Sequence, residues 1–294
     1  LTPILIGLLN AACFGTSGYL SKDVIGRIGY FKTTTYVLLL SGAGVLLTAP
    51  LLGLSFEIAG TMIGLLVLVS VANFFGFIFM YRGFQTGLLS VVSPLVNSFP
   101  AITTVISVLW FGGSISPTTA VTLSVIIVGV VLVSTRLSEL GGQLRGSAGR
   151  LSVGAGSGLI AALLFGMTWA GFGYADQNIG YLLPALFMRV GSAAIGFVSA
   201  PFLKQAVQPR FEGVSRRLLL MGVLETIGVF AFALNLRQIS GGESLPIVAT
   251  FGGIGTVFTV TLAALILKER VEKNQAFGIV ILLVGVASLL YLRA

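Results

Sequence analysis

Two ionisable side chains, Arg189 and Glu225, fall inside runs of this sequence that are otherwise apolar enough to cross a bilayer. A charge in such a run is costly against lipid, so it faces the bundle interior and marks a functional candidate by default. Glu225, near the middle of its run, can carry a proton or accept a cationic group. Arg189, about two turns into its run, can answer a substrate carboxylate or phosphate, pair permanently with Glu225, or extend its guanidinium to the interface. Asn73-Phe-Phe-Gly76 parallels Glu225-Thr-Ile-Gly228, each with a polar residue one turn before a glycine and so on the same helix face. The glycine lets a helix or a ligand come close; hydrogen bonding between helices with no ligand is the plainer role for Asn73. Asn97 either satisfies backbone carbonyls freed by its neighbouring prolines or offers an amide to a ligand. Asn10 and Trp169 are placed on the same cavity, with an interface anchor as the alternative for Trp169.

Asn97 sits in Ser93-Pro-Leu-Val-Asn-Ser-Phe-Pro100, where Pro94 and Pro100 are expected to interrupt a helix. In hydrocarbon, unpaired carbonyls survive only where protein or a wet cavity receives them. The second half of the chain has Pro246 followed by Phe251-Gly-Gly-Ile-Gly255 in a matching run. Paired interruptions in corresponding runs point to a transporter's binding site. Pro94, Pro100, Gly252, Gly253 and Gly255 are therefore expected to bend and gate.

The elements carrying these groups are membrane helices. Of the 294 residues, 56% are hydrophobic and only 9% are charged, with a mean hydropathy of +1.04, too little polar surface to cover a soluble globule of this size. There is no histidine and one cysteine, Cys13, which excludes His-based metal sites, histidine proton relays and an intramolecular disulfide. No metal or cofactor is expected. The net charge of +8 is held in short connections between apolar runs, so it reads as cytoplasmic loop charge and not as a nucleic-acid footprint. The chain opens at Leu1, so a trimmed amino terminus is expected. Its first apolar run is read as a span and not a signal peptide, because a similar run recurs in mid-chain.

Runs of about 20 residues, enough to span roughly 30 Å of hydrocarbon, are placed at Ile4–Ser21, Thr33–Gly53, Ala59–Tyr81, Gly87–Phe111, Thr118–Arg136, Val153–Tyr174, Leu182–Leu203, Arg216–Arg237, Glu243–Leu267 and Asn274–Leu292. At an offset of 151 the chain matches itself: Phe14-Gly15 meets Phe165-Gly166, Gly29-Tyr30 meets Gly180-Tyr181, and Ala49-Pro50 meets Ala200-Pro201. Later the offset becomes 156, which brings Leu95 to Phe99 onto Phe251 to Gly255. The expected fold is an all-α integral membrane protein of ten transmembrane helices in two inverted five-helix repeats, residues 1–136 and 151–294. Residues 137–150 form a cytoplasmic linker. Odd-numbered connections hold 14 of the 17 Lys and Arg, against Arg237 and Arg293 on the other side, with Arg189 inside a helix. That bias places the odd connections in the cytoplasm and both termini outside, in a prokaryotic cytoplasmic membrane.

Leu-Ile-Leu-Lys-Glu-Arg-Val-Glu-Lys-Asn-Gln-Ala-Phe-Gly-Ile-Val-Ile-Leu-Leu-Val-Gly-Val, Leu265 to Val286, resembles the end of the repeat in EamA-type members of the drug/metabolite transporter superfamily. There a penultimate helix runs into a Gly-Glu-Arg-like turn before the last helix. The resemblance implies a ten-helix bundle whose helices 1, 3, 4, 6, 8 and 9 line a central cavity, with 5 and 10 standing apart. The first half departs from the pattern, reading Phe111-Gly-Gly-Ser-Ile-Ser-Pro117 where Glu-Arg is expected, and the family commonly keeps its termini in the cytoplasm.

Three activities are weighed. A monomeric secondary transporter, an exporter of a small polar or amphipathic metabolite such as an amino acid, suits one acid, one base and several amides in a cavity worked by alternating access. No Walker motif is present to couple ATP. A lipid-handling protein of the flippase or scramblase kind would use the 21 phenylalanines to line a laterally open acyl groove. An intramembrane enzyme is disfavoured, for want of histidine or a cluster of mid-membrane carboxylates.

Overall fold

The computed structural model describes residues 2–52, 60–87, 92, 95–134, 148–211, 213–239, 244–266 and 272–291, and within them all regular structure is helical. The helices are α1 (Thr2–Ile28), α2 (Tyr30–Thr48), α3 (Gly60–Thr86), α4 (Phe99–Trp110), α5 (Pro117–Ser134), α6 (Ala148–Ile179), α7 (Leu182–Phe202), α8 (Ser215–Gln238), α9 (Ser244–Ile266) and α10 (Lys273–Tyr291). Among the described residues, α1, α2, α3, α6, α7 and α8 are long and apolar enough to cross a membrane, while α4, α5 and α9 supply shorter apolar stretches. Large apolar side chains such as Leu47, Leu51, Leu109 and Trp110 face outward. In water such a surface would aggregate, whereas in lipid it is solvated.

Two chain reversals share one device. Gly29 (φ 80°) ends α1 and Gly180 (φ 78°) ends α6, each in the left-handed region that glycine enters without steric cost. Each is followed by a tyrosine at the start of the next helix, Tyr30 opening α2 and Tyr181 standing just before α7.

α1 packs on α8 and α9, α3 on α6, α6 also on α4, α2 on α7 and α8, and α5 on α10 and α9. Specific contacts recur at the sequence offsets given above. The Phe14 ring of α1 fills the space over Gly228 of α8, and the Phe165 ring of α6 fills the space over Gly76 of α3. The hydroxyl of Thr259 in α9 donates to the carbonyl of Gly15 in α1 at 2.8 Å, and that of Thr103 in α4 donates to Gly166 in α6 at 3.4 Å. Gly7 lies against Phe251 and Gly158 against Leu95. Glycine makes these approaches possible, since a β-carbon at Gly76 would stand 2.8 Å from the Phe165 ring.

Several element boundaries differ from the sequence expectation. α6 runs on to Ile179 and begins at Ala148, so the final linker residues are helical; residues 135–147 lie outside the described set, as does Pro94. In the fourth expected run, residues 92, 95 and 96 are helical and Asn97 and Ser98 form a turn, an interruption where the sequence placed one. Gly87 closes α3 through its N–H to the Gly83 carbonyl, and α4 starts at Phe99. Pro100 therefore occupies the first turn of a helix, where its missing N–H has no intrahelical partner to lose. Pro246 likewise sits in the first turn of α9, which continues unbroken through Gly252, Gly253 and Gly255.

Ionic contacts gather at two ends. At one, Asp23 pairs with Arg27 at 3.2 Å and with Arg217 of α8, and Lys32 donates to the Arg210 carbonyl at 2.7 Å. At the other, Arg237 lies 4.0 Å from Asp176 and 4.4 Å from the centre of the Tyr181 ring.

Candidate functional site

The site is assembled around a local irregularity in α7. Leu182–Leu186 is α-helical, Phe187–Gly191 forms a π-turn, and Ser192–Phe202 resumes the α-helix. A π-turn widens the helix and loosens its own hydrogen-bond ladder, and such turns are frequent at functional sites. Here α3 receives the freed carbonyls. Ser70 Oγ donates to the Phe187 carbonyl at 2.7 Å, and Asn73 Nδ2 donates to the Met188 carbonyl and to Ser192 Oγ, each at 3.0 Å. Gly191 brings the helices this close, since a β-carbon there would meet Ser70 Oγ at 2.5 Å. Gly42 of α2 abuts Val190 from the other side.

Arg189 projects from the centre of this turn. It is 1% exposed, so it does not snorkel, and its Nη2 donates to Glu225 Oε2 at 2.9 Å. Glu225, near the middle of α8 and 4% exposed, accepts a second bond from Ser17 Oγ at 2.9 Å. The Arg189 guanidinium also lies 5.6 Å from the Phe77 ring centre, a cation–π distance. Its Nε and Nη1 atoms have no hydrogen-bond partner among the described residues.

The pair opens into a cavity of about 110 Å³, walled by α1, α3, α6, α7, α8, α9 and the residues leading into α4, with room for several waters or a small solute. Asn73, Asn97, Trp169, Arg189 and Glu225 all reach its wall, as do Gly252 and Gly255. Trp169 is buried, its ring 4.1 Å from the Phe232 ring centre and tilted against it, so it lines the cavity and does not anchor an interface.

One residue expected on the cavity, Asn10, is absent from its wall. Its Nδ2 donates to the Gly228 carbonyl at 2.8 Å, tying α1 to α8. Of the residues expected to bend, Gly253 and Pro100 pack against each other, with Pro100 Cγ 3.1 Å from where a β-carbon of Gly253 would lie.

Sequence reasoning also missed residues. Thr256 lines the cavity with an unpartnered, buried Oγ1 one turn beyond Gly252, and its place on the glycine face of α9 was a readable signal. Asp176 is a second buried carboxylate, 5% exposed at its side chain, missed because helix 6 was expected to end at Tyr174. Its spacing in the stripe Phe165, Trp169, Phe172, Asp176 is helical and would have carried it inward.

The model of the EamA-like transporter family matches residues 1–135 and 152–291 of the chain. Among 24 matching solved chains, one crystal structure superposes with a TM-score of 0.76 at 13% identity, over 98% of this chain and 96% of that one, a likeness of fold. No curated protein matches the sequence.

Proposed function

The chain belongs to the EamA-like transporter family, membrane transporters of small solutes and not enzymes, and from that premise we propose that it is a secondary transporter. It moves a small polar or amphipathic metabolite such as an amino acid, most simply as an exporter from a prokaryotic cytoplasmic membrane, by alternating access. The observation that carries this reading is the buried Arg189–Glu225 pair opening into an interior cavity. A charge pair removed from water costs several kcal/mol per ion and is kept where it serves recognition or coupling.

Two inverted five-helix repeats, residues 1–136 and 151–294, form the moving parts of this proposal. The recurrence of the Phe–Gly and Thr–Gly contacts between α1 and its neighbours and between α6 and its neighbours supports it. So does the family match in two stretches. Clustering of Arg27, Lys32, Arg210 and Arg217 at one end supports a cytoplasmic assignment for that end.

The lipid-handling alternative calls for polar groups along a lateral track. Asn73, Arg189 and Glu225 are instead nearly inaccessible within the bundle, which favours the transporter. Counterflow of radiolabelled amino acids into proteoliposomes preloaded with the same solute tests the proposal. Uptake above protein-free vesicles is expected; lipid scrambling without flux of any small solute would refute it.

A further inference from the structure

The cavity is displaced toward one end of the bundle. Among the described residues its wall along α3 runs from Asn73 to Phe84, within a turn of the helix end at Thr86. α6 lies antiparallel to α3, with Gly76 meeting Phe165 and Gly87 meeting Gly154, and its last wall residue is Trp169. α6 continues to Ile179, about 15 Å farther at the helical rise per residue. α8 runs with α6, Phe232 meeting Phe172 and Arg237 meeting Asp176, and against α1, Glu225 meeting Ser17 and Arg217 meeting Asp23. The cavity therefore reaches toward the end that carries Asp23 and Arg217, and the end at Asp176 and Arg237 is filled.

Successive layers fill it. The Phe232 ring centre lies 4.1 Å from that of Trp169 and 5.8 Å from that of Phe172. Beyond them Leu245 of α9 sits over Gly173, where a β-carbon would meet it at 2.6 Å. Outermost, Arg237 is 4.0 Å from the buried Asp176 carboxylate and 4.4 Å from the Tyr181 ring centre. The other end has no such filling in α1. At the offset of 151, Trp169 falls on Gly18 and Phe172 on Ser21. Gly18 borders the cavity, and a β-carbon there would find its nearest described neighbour, Thr259 Oγ1, at 3.8 Å.

We infer that Arg237 latches the filled end shut, so that the protein without solute rests with its cavity open toward the Lys22 end. The inference rests on the transporter reading and adds the resting state and the residue that sets it. Opening the filled end requires α6 to part from α8 and α9, which separates Trp169 and Phe172 from Phe232 and Leu245 from Gly173. Aromatic surface packed in those layers would then meet water, at a cost proportional to its area. Arg237 adds to this from α8, because its half-exposed guanidinium is held by a carboxylate of α6 and by the ring just before α7. Movement of α6 away from α8 breaks both contacts together. A half-exposed ion pair and a cation–π contact are each weak, but a balance between two conformations is tipped by little.

The test reads accessibility and needs no knowledge of the solute. In a Cys13→Ser background, a cysteine at Met80 on the cavity wall is labelled with an impermeant thiol reagent from each face of oriented vesicles, in the absence of solute. Labelling from the Lys22 face should be the faster. Arg237→Gln and Asp176→Asn each remove one side of the latch and should raise labelling from the Asn178 face about three- to ten-fold. Arg237→Lys keeps the charge and should raise it less. Faster labelling from the Asn178 face with the latch intact would overturn the inference. So would a failure of both Arg237→Gln and Asp176→Asn to raise it, or a rise in Arg237→Lys equal to that in Arg237→Gln. Counterflow that persists alongside any of these results leaves the transporter reading intact.

Discussion

Gly255 of α9 lies so close to Gly15 of α1 that a β-carbon added to Gly255 would stand 3.2 Å from the Gly15 nitrogen and 3.0 Å from the Ala11 carbonyl oxygen. Both neighbours are backbone atoms with nowhere to retreat. Gly253 is tight in a different way, since its neighbour is the edge of the Pro100 ring. Gly255→Ala should therefore cost about 1–3 kcal/mol of stability and Gly253→Ala less. Unfolding midpoints in detergent check this; a larger loss for Gly253→Ala would contradict it. A leucine at Gly253 would strike Pro100, so slowed transport in that variant reports packing and not a hinge.

The Arg189–Glu225 pair makes a sharper stability prediction. Glu225→Gln strands a buried guanidinium and should cost about 3–5 kcal/mol, whereas replacing both residues with apolar side chains of similar volume should cost far less. Thermal unfolding of the single and double variants decides between them. A single variant as stable as the unchanged protein would mean that the charge finds water or another partner.

Asn73 spends its amide nitrogen on the π-turn of α7. Asn73→Leu should then cost about 1–3 kcal/mol, because the amide's bonds to the turn are lost while its branched shape is kept. Ser192 still serves the Met188 carbonyl, which holds the loss to that range. An unchanged melting curve would argue that the turn holds its shape without α3.

Charge at the two ends predicts labelling. In a Cys13→Ser background, a cysteine at exposed Lys22 should resist an impermeant thiol reagent applied to intact cells, and one at exposed Asn178 should react. The reverse pattern would invert the proposed orientation.

The recurrences read from the sequence are small, local signals that bear directly on backbone geometry. Gly29 and Gly180 align because both end a helix at positive φ, and Phe14-Gly15 aligns with Phe165-Gly166 because both rings cover a glycine on a facing helix. Arg189 and Glu225 were legible because charge inside an apolar run has few tolerable fates. The proline-flanked stretch was legible as an interruption: residues 95 and 96 are helical, Asn97 and Ser98 form a turn, and α4 begins at Phe99. Pairwise direction was out of reach: nothing in the residue types alone turns the Asn10 amide nitrogen toward the Gly228 carbonyl.

The most direct test places a single cysteine on the cavity wall at Met80, whose side chain borders the space beside Arg189 and Glu225. In the Cys13→Ser background, reactivity toward an impermeant thiol reagent is followed from each face of oriented vesicles, with and without transported solute. Labelling from both faces, with solute shifting reactivity from one face to the other and slowing it at saturation, is the predicted result. A cysteine reached from one face alone, at a rate solute does not change, would contradict the account.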